Sequence, residues 1–484
     1  MNRQRVIFWL ALMILGLETG AVPVAANMGV GEAIAGLSTS SLWELNRDAG
    51  GTLYISDYQL PAVVVVNPTS GAFTRYISPL TAAFVVTPSD AKPDTNGLIW
   101  WSDYYSAFGR INPTTNQITY WNLSTLSLSP GGLTFDAWGR VWLTQPYDPR
   151  LLRFNPANNE LCRFSVGGGG NYVITYGGRL WVGDSQARRI LRFDPATNSL
   201  TWWNLPGTNT SPKGLAFDAD GRLWWADAAP GAGKLGRLSP ESNQAVTYAL
   251  PAGALPVAVV AGVEVMWYTS LAGTVGFVDP ARASGSNWTL TTGSTTVSPT
   301  CSTVTAGTQT ATRTTGTFSF PTVTWTVVSG TPTGITAYVP PGSTPAPAPY
   351  GMAFSDGRIW VTDQDRLRLA RLPQVPQPPT LSIALSGSNL TLSWPPVTQD
   401  EGGGGVTVSS YQIWRSGQPY FRPWDTGVAY LGAPAAGPFN AGGVPAGSQA
   451  VFFAARSVAD SRLISRTSSR VGAFSYTLTP GTTP

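Results

Sequence analysis

The sequence predicts an all-β chain: a seven-bladed β-propeller followed by a β-sandwich. Three observations carry this. First, a four-residue phrase (aromatic, large apolar, small, then usually Asp) occurs seven times. The copies are Tyr54-Ile55-Ser56-Asp57, Trp100-Trp101-Ser102-Asp103, Trp142-Leu143-Thr144-Gln145, Trp181-Val182-Gly183-Asp184, Trp224-Trp225-Ala226-Asp227, Trp267-Tyr268-Thr269-Ser270 and Trp360-Val361-Thr362-Asp363. Their fourth positions lie 46, 42, 39, 43, 43 and 93 residues apart. A period near 40 marks a propeller in which each repeat is one four-stranded blade. Second, a turn with Asn or Asp before Pro recurs at Asn67-Pro68, Asn112-Pro113, Asn155-Pro156 and Asp194-Pro195, and Ser239-Pro240 takes the same place. Pro presets φ there, and Asn or Asp tolerates the turn. Third, the phrase stops at a Pro-rich run, residues 373–379, and short alternating strands follow. About 100 residues of that kind with a central Trp suggest a sandwich.

The first 26 residues read as an export signal. Arg3 and Arg5 precede an apolar run, Val6 to Leu17, of 12 residues. That run is too short for a comfortable membrane span. Val24-Ala25-Ala26 supplies small residues for cleavage, so the mature chain is expected to start at Asn27, secreted or at the cell surface. An uncleaved anchor is the alternative. No later segment is long and apolar enough to span a bilayer.

The propeller is expected over 27–373. Its best-formed repeat runs from Gly214 to Pro251: strand, tight turn Asp218-Ala219-Asp220-Gly221, signature strand, third strand, turn, fourth strand. Strand alternation places the aromatic and the small residue on one face, and the apolar residue and the Asp on the other. The aromatics fill the wedge between blades, and the small residue sits where blades crowd toward the axis. Only the second Trp of a pair, Trp101 or Trp225, is a candidate platform for a ligand. The last blade shows three strands, ending at Leu367–Leu372. Residues 32–37 resemble a spare outer strand and are expected to join it and close the ring, because an open propeller exposes two strand edges.

The long sixth interval contains a Thr-, Ser- and Gly-rich insertion, 283–331. It is expected to form an elaborated hairpin between the outer strands of blade six, with a flexible loop as the alternative. Asn287-Trp288-Thr289 matches a glycosylation acceptor. Cys162 and Cys301 would then lie on blades three and six, far apart, and two free or buried thiols are expected rather than a bridge. Residues 374–379 form a stiff linker, 380–478 the sandwich and 479–484 a tail.

Composition narrows the function. Charged residues make up 12%, about half the usual roughly 25%. Lysine occurs only at 92, 213 and 234, and basic residues form no run, so a nucleic-acid face is not expected. The chain has no histidine. This removes the commonest general base and metal ligand.

The propeller half resembles the virginiamycin B lyase (streptogramin lyase) family and neighbouring NHL-type propellers. The phrases that carry it are Gly214-Leu215-Ala216-Phe217-Asp218-Ala219-Asp220-Gly221-Arg222-Leu223-Trp224-Trp225-Ala226-Asp227 and Gly351-Met352-Ala353-Phe354-Ser355-Asp356-Gly357-Arg358-Ile359-Trp360-Val361-Thr362-Asp363. The resemblance covers residues 32 to 373. It implies elimination chemistry that uses histidine and a magnesium ion held by a carboxylate. In the family's pattern a His precedes the Gly that opens a blade; here Lys213 and Tyr350 stand in those places. The carboxylate is Glu in the family and Asp227 or Asp363 here. The tail resembles a fibronectin type III module through Trp394, Tyr411 and Phe452 to Val458.

Two functions follow as expectations, beside a purely architectural role as a component of the cell envelope. The first is a non-catalytic propeller that binds a protein or glycan ligand and needs no cofactor. The second is a lyase- or lactonase-like enzyme at the central channel with magnesium or calcium, its candidate catalytic residues Asp227, Asp363, Tyr350 and Lys213. Only the Asp set 57, 103, 184, 227 and 363 offers metal ligands, and a hard cation needs several converging oxygens. An Asp at a strand end more often accepts backbone N–H bonds from the turn that follows.

Overall fold

A computed structural model describes residues 25–33, 41–58, 60–79, 88–231, 233–320, 322–328, 333–339, 348–363, 368–386, 389–443 and 450–474. The predicted export signal and C-terminal tail lie outside these residues, save that the first strand, Ala25–Ala33, begins two residues before the expected cleavage point. Among the described residues there is no α-helix.

Each signature phrase begins on the second strand of an antiparallel meander, and all but the third, whose strand Val141–Leu143 ends before Thr144, lie wholly on it. The fifth repeat is Pro212–Phe217, Leu223–Asp227, Lys234–Ser239 and Gln244–Ala249. The sequence explains its first turn. Asp218 Oδ1 accepts the amides of Asp220 and Arg222 at 3.0 Å, and Gly221 takes a positive φ of 73°. Asp218 Oδ2 then accepts the indole N–H of Trp224 at 2.8 Å. The same link, six residues long, joins Asp48 to Tyr54, Asp94 to Trp100 and Asp136 to Trp142. The turn residue therefore aims the signature aromatic.

The alternation holds. Trp100, Trp142, Trp224 and Trp360 face the next repeat, whereas Trp101, Leu143, Trp225 and Val361 face the preceding one. Each core thus draws on two neighbours, and the one containing Leu45, Ile55, Ala353 and Trp360 joins the last repeat to the first. The small signature residues stitch the same seams. Ser102 donates to the carbonyl of Gly131, Thr269 to that of Tyr350, and Thr362 to that of Trp43.

Ring closure follows the expected route with an earlier register. Gly29 to Glu32 pair with Arg371 to Arg368; of the anticipated segment, residues 34–37 lie outside the described residues.

The insertion departs from expectation. It is no hairpin on one blade but a belt around the molecule. Ser286–Thr289 pairs with the fourth strand of the fifth repeat, Thr292–Thr296 with Ser199–Asn204, Thr300–Thr303 with Glu160–Ser165, Ala306–Thr310 with Gln117–Asn122, and Thr312–Ser319 with Ala72–Ile77. Thr322–Val327 then meets the N-terminal strand, and Ile335–Val339 returns as the fourth strand of the sixth repeat. Twist makes this route available. Adjacent strands rotate by roughly 20–25°, so by the fifth strand the direction has turned by nearly a right angle from the innermost one. An extended chain can then pass from blade edge to blade edge.

The belt has a seven-residue period that the sequence reading missed. Leu290, Val297, Val304, Ala311 and Phe318 are all buried, each plugging a core between two repeats. Their amides donate to the carbonyls of Asn243, Asn198, Asn159, Asn116 and Gly71 at 2.8–3.0 Å. Each acceptor residue has positive φ. The belt also brings Cys301 opposite Cys162, and the two form a disulfide. The expectation of separate thiols fails because it placed Cys301 on the sixth blade, where the insertion starts, not on the third, which the belt reaches.

The C-terminal strands form two sheets, Ser382–Ser386, Asn389–Ser393 and Phe439–Gly442 against Ala429–Gly432, Val408–Ser416, Ala450–Ala459 and Val471–Phe474. Leu392, Trp394, Tyr411, Ile413 and Phe453 fill the space between them. This unit is fixed to the propeller by Arg456, which is fully buried. Arg456 pairs with Asp279 at 3.1 Å and Glu264 at 3.0 Å, with Trp414 and Trp424 against its guanidinium.

Candidate functional site

The first strands of the repeats line a central cavity of about 90 Å³ whose walls include Glu44, Asn46, Asp90, Lys92, Tyr104 and Tyr172. Register defines its two ends. Each signature Asp pairs with the first residue of the inner strand: Asp57 with Leu42, Asp103 with Pro88, Asp227 with Pro212, Asp363 with Pro349. Residues just after a signature Asp, and just after those partners, therefore share one end. That end collects Trp43, Tyr58, Tyr104, Tyr105 and Tyr350. The C-terminal unit contacts Asp220, Glu264 and Asp279, which lie on turns at the opposite end.

The aromatic end is tightly organised. Trp43 stacks between Tyr58 and Tyr350, with ring centroids at 4.1 and 4.9 Å, and Tyr104 meets it edge-on at 5.9 Å. Tyr172 donates to the Tyr350 hydroxyl at 2.9 Å. Tyr105 and Tyr147 stand exposed at the rim. Burial raises the phenols of Tyr104, Tyr172 and Tyr350 above their ordinary range. Glu44 lies among them. It keeps some contact with the lumen, yet burial, aided by the Asp90 charge, pushes its carboxyl up to about 8. At neutral pH it is therefore mainly a neutral hydrogen-bond donor. Asp90 is held by Asn46 at 2.7 Å, Lys92 at 2.9 Å and the Leu133 amide at 2.8 Å.

The anticipated Asp set does not converge. Asp57 binds Arg75 at 2.6 Å and the amides of Ser41 and Leu60. Asp103 accepts three amides, from Tyr105, Ser106 and Ala107, at 2.8–2.9 Å, while burial lifts its carboxyl to about 6. Asp184 holds the Ala187 amide and Arg189, Asp227 the Ser211 and Ala229 amides with Lys234 at 3.5 Å, and Asp363 the Ala348 amide. Among the described residues, no three of these carboxylates approach as metal ligands do. They shape the loops that follow the signature strands. Trp101 and Trp225 offer no platform either. Both are buried, their rings pressed on Gly109 and Gly236, where a Cβ would clash. Lys213 sits part-buried beside Gly214 of the cavity wall, and burial lowers its amine. Of the predicted residues only Tyr350 belongs to the aromatic cluster. Trp43, Glu44, Tyr58, Tyr104 and Tyr172 were missed. Their signal was available, since Trp43 and Tyr350 each stand one residue after the partner of a signature Asp.

The model of the virginiamycin B lyase family matches residues 47–306, more than half of the chain. The chain belongs to the virginiamycin B lyase family. Among solved structures it is similar to a catalytically inactive His-to-Ala variant of virginiamycin B lyase from Staphylococcus aureus with quinupristin. That likeness has 16% identity and a TM-score of 0.53, covering 72% of this chain and 99% of that one. A streptogramin B lyase structure gives 16% identity and a TM-score of 0.53 over 72% and 98%. These likenesses establish the β-propeller fold. No curated protein matches the chain in sequence.

Within the virginiamycin B lyase family, the magnesium expected from resemblance has a poor fit here. Asp227 and Asp363 are committed to backbone amides, and the Lys234 ammonium already faces Asp227. The two places at which resemblance expects histidine hold Lys213 and a Tyr350 locked by stacking and a hydrogen bond.

Proposed function

We propose that this family member is a secreted or cell-surface binding protein that holds a protein or glycan ligand at the aromatic end of its channel, without lyase chemistry. The reading takes residues 27–373 as a seven-bladed propeller and 380–478 as a fibronectin type III-like module behind a short linker. The observation that carries it is the Tyr58–Trp43–Tyr350 stack, with exposed Tyr105 and Tyr147 beside it. Aromatic faces bind apolar or sugar rings, and phenol hydroxyls supply polar contacts. The opposite end is partly covered by the C-terminal unit, which leaves the aromatic end for a ligand. Screening soluble glycans and peptides by quenching of tryptophan emission tests this. A ligand whose binding is lost in Trp43→Ala supports the reading; one that binds equally well to that variant defeats it.

Glu44 supports a second reading, a channel enzyme. A carboxyl near pH 8 within a pocket is the kind of group that exchanges protons in catalysis. The test is incubation with streptogramin B compounds and magnesium, followed by mass spectrometry. Ring opening that disappears in Glu44→Gln would establish the enzyme and displace the binding reading.

A further inference from the structure

The belt clasp brings together more than two sulfurs. Glu160 stands two residues before Cys162 on one strand face, and its Oε2 lies 3.4 Å from Cys162 Sγ. Ligand atoms of Glu160, Cys162 and Cys301 all fall within 4.8 Å of one another, a grouping no other described acid or cysteine residues make. Arg153 reaches Cys162 Sγ at 3.1 Å and Glu160 at 3.5 Å. Cys162 is buried, while Cys301 on the belt is exposed.

We propose that reduction converts this clasp into a zinc site formed by Cys162 Sγ, Cys301 Sγ and a Glu160 oxygen. A dithiol supplies the electrons. Its thiolate attacks the exposed Cys301 sulfur, the S–S bond breaks, and Cys162 leaves as a thiolate beside the Arg153 cation. The reductant's second thiolate then displaces Cys301, giving two protein thiols and an oxidised cyclic disulfide. Zinc binding releases the two thiol protons. Two thiolates, one carboxylate, Arg153 and Zn²⁺ sum to zero charge, which suits a half-buried site. Zn–S bonds are about 2.3 Å and Zn–O bonds about 2.0–2.2 Å. The sulfurs need only separate by about 1.5–2 Å for tetrahedral coordination, with water as fourth ligand. The belt pairing around Cys301 and Arg163–Glu160 supplies the frame. Arg153 acts from outside as a donor to thiolate and carboxylate, the kind of partner that orients metal ligands.

The full chain, reduced and freed of reductant without oxygen, is titrated with Co²⁺ and then Zn²⁺. The expected result is one Co²⁺ per chain with a thiolate-to-cobalt charge-transfer band, displaced by Zn²⁺. The oxidised chain shows no such band, Cys301→Ser abolishes it, and Glu160→Gln weakens binding about tenfold or more, as loss of an outer partner already does. Circular dichroism follows the fold throughout. Two free thiols with no cobalt band overturn the proposal. So does binding that survives both substitutions, or unfolding on reduction, since the site requires the belt in place.

Discussion

Glu44 is the residue at which packing and solvation conflict most openly. Its carboxyl is pushed from 4.5 up to about 8, burial first and the Asp90 charge second. The folded state then binds a proton more readily than the unfolded chain. The contribution of Glu44 to stability is fully present below the unfolded value near 4.5 and is lost as pH rises through the folded value. Urea midpoints are expected to fall between pH 5 and 8 in the parent chain, and Glu44→Gln is expected to flatten that slope. An unchanged slope in the variant would assign the effect elsewhere. A second residue-scale prediction concerns Gly236, on which the Trp225 ring rests. Gly236→Val is expected to cost about 1–3 kcal/mol through overpacking, read from denaturant unfolding; a neutral result would mean that the ring can move aside.

At the scale of elements, the belt and the C-terminal unit are held by different means. The belt relies on one apolar plug per seven residues, backbone pairing and the disulfide, which spans 139 residues. Chain entropy for such a loop sets an upper figure of about 5 kcal/mol. Replacing both cysteines by serine is expected to cost about 2–4 kcal/mol, seen as a melting temperature below that of the oxidised parent and close to that of the parent reduced to thiols. The C-terminal unit relies on a desolvated ion cluster. Arg456→Met leaves Asp279 buried without its cation, and breaking a buried pair costs about 3–5 kcal/mol. Limited proteolysis near residues 373–379 is expected to release the unit faster in that variant. Equal cleavage rates would show that the apolar contacts of Ala459, Leu463 and Ile464 with Met352 and Val361 suffice.

For the whole molecule, closure is the governing property. The strand Ala25–Ala33 pairs with the last repeat, with the belt segment Thr322–Val327 and with the end of Thr312–Ser319. Deleting residues 27–40 removes one strand but frees three edges, and exposed edges invite aggregation. The truncated chain is expected to lose most of the roughly 5–15 kcal/mol typical of a folded domain and to aggregate on warming, measured by calorimetry and light scattering. A truncated chain that melts like the parent would mean that the belt alone closes the ring.

The seven phrases and their spacing, the Asn-Pro turns and the absence of histidine were all in the sequence, because period and chirality act locally. Strand alternation told which face of Trp224 and of Trp225 was which, and the structure agrees. The belt was written there too, in Leu290, Val297, Val304, Ala311 and Phe318. Its meaning was hidden, because one apolar residue in seven is too sparse for the apolar stripe of a helix and does not follow the two-residue alternation of a strand; the spacing makes sense only once the size of a blade is known. The site depended on tertiary structure altogether. Trp43, Tyr58, Tyr104, Tyr172 and Tyr350 are separated by up to hundreds of residues and meet only when inner strands from different repeats surround one axis. Glu44 acquires its raised pKa from that enclosure. Cys162 meets Cys301 because an extended chain on a twisted edge travels around the ring, and local propensity contains no record of where such a chain ends.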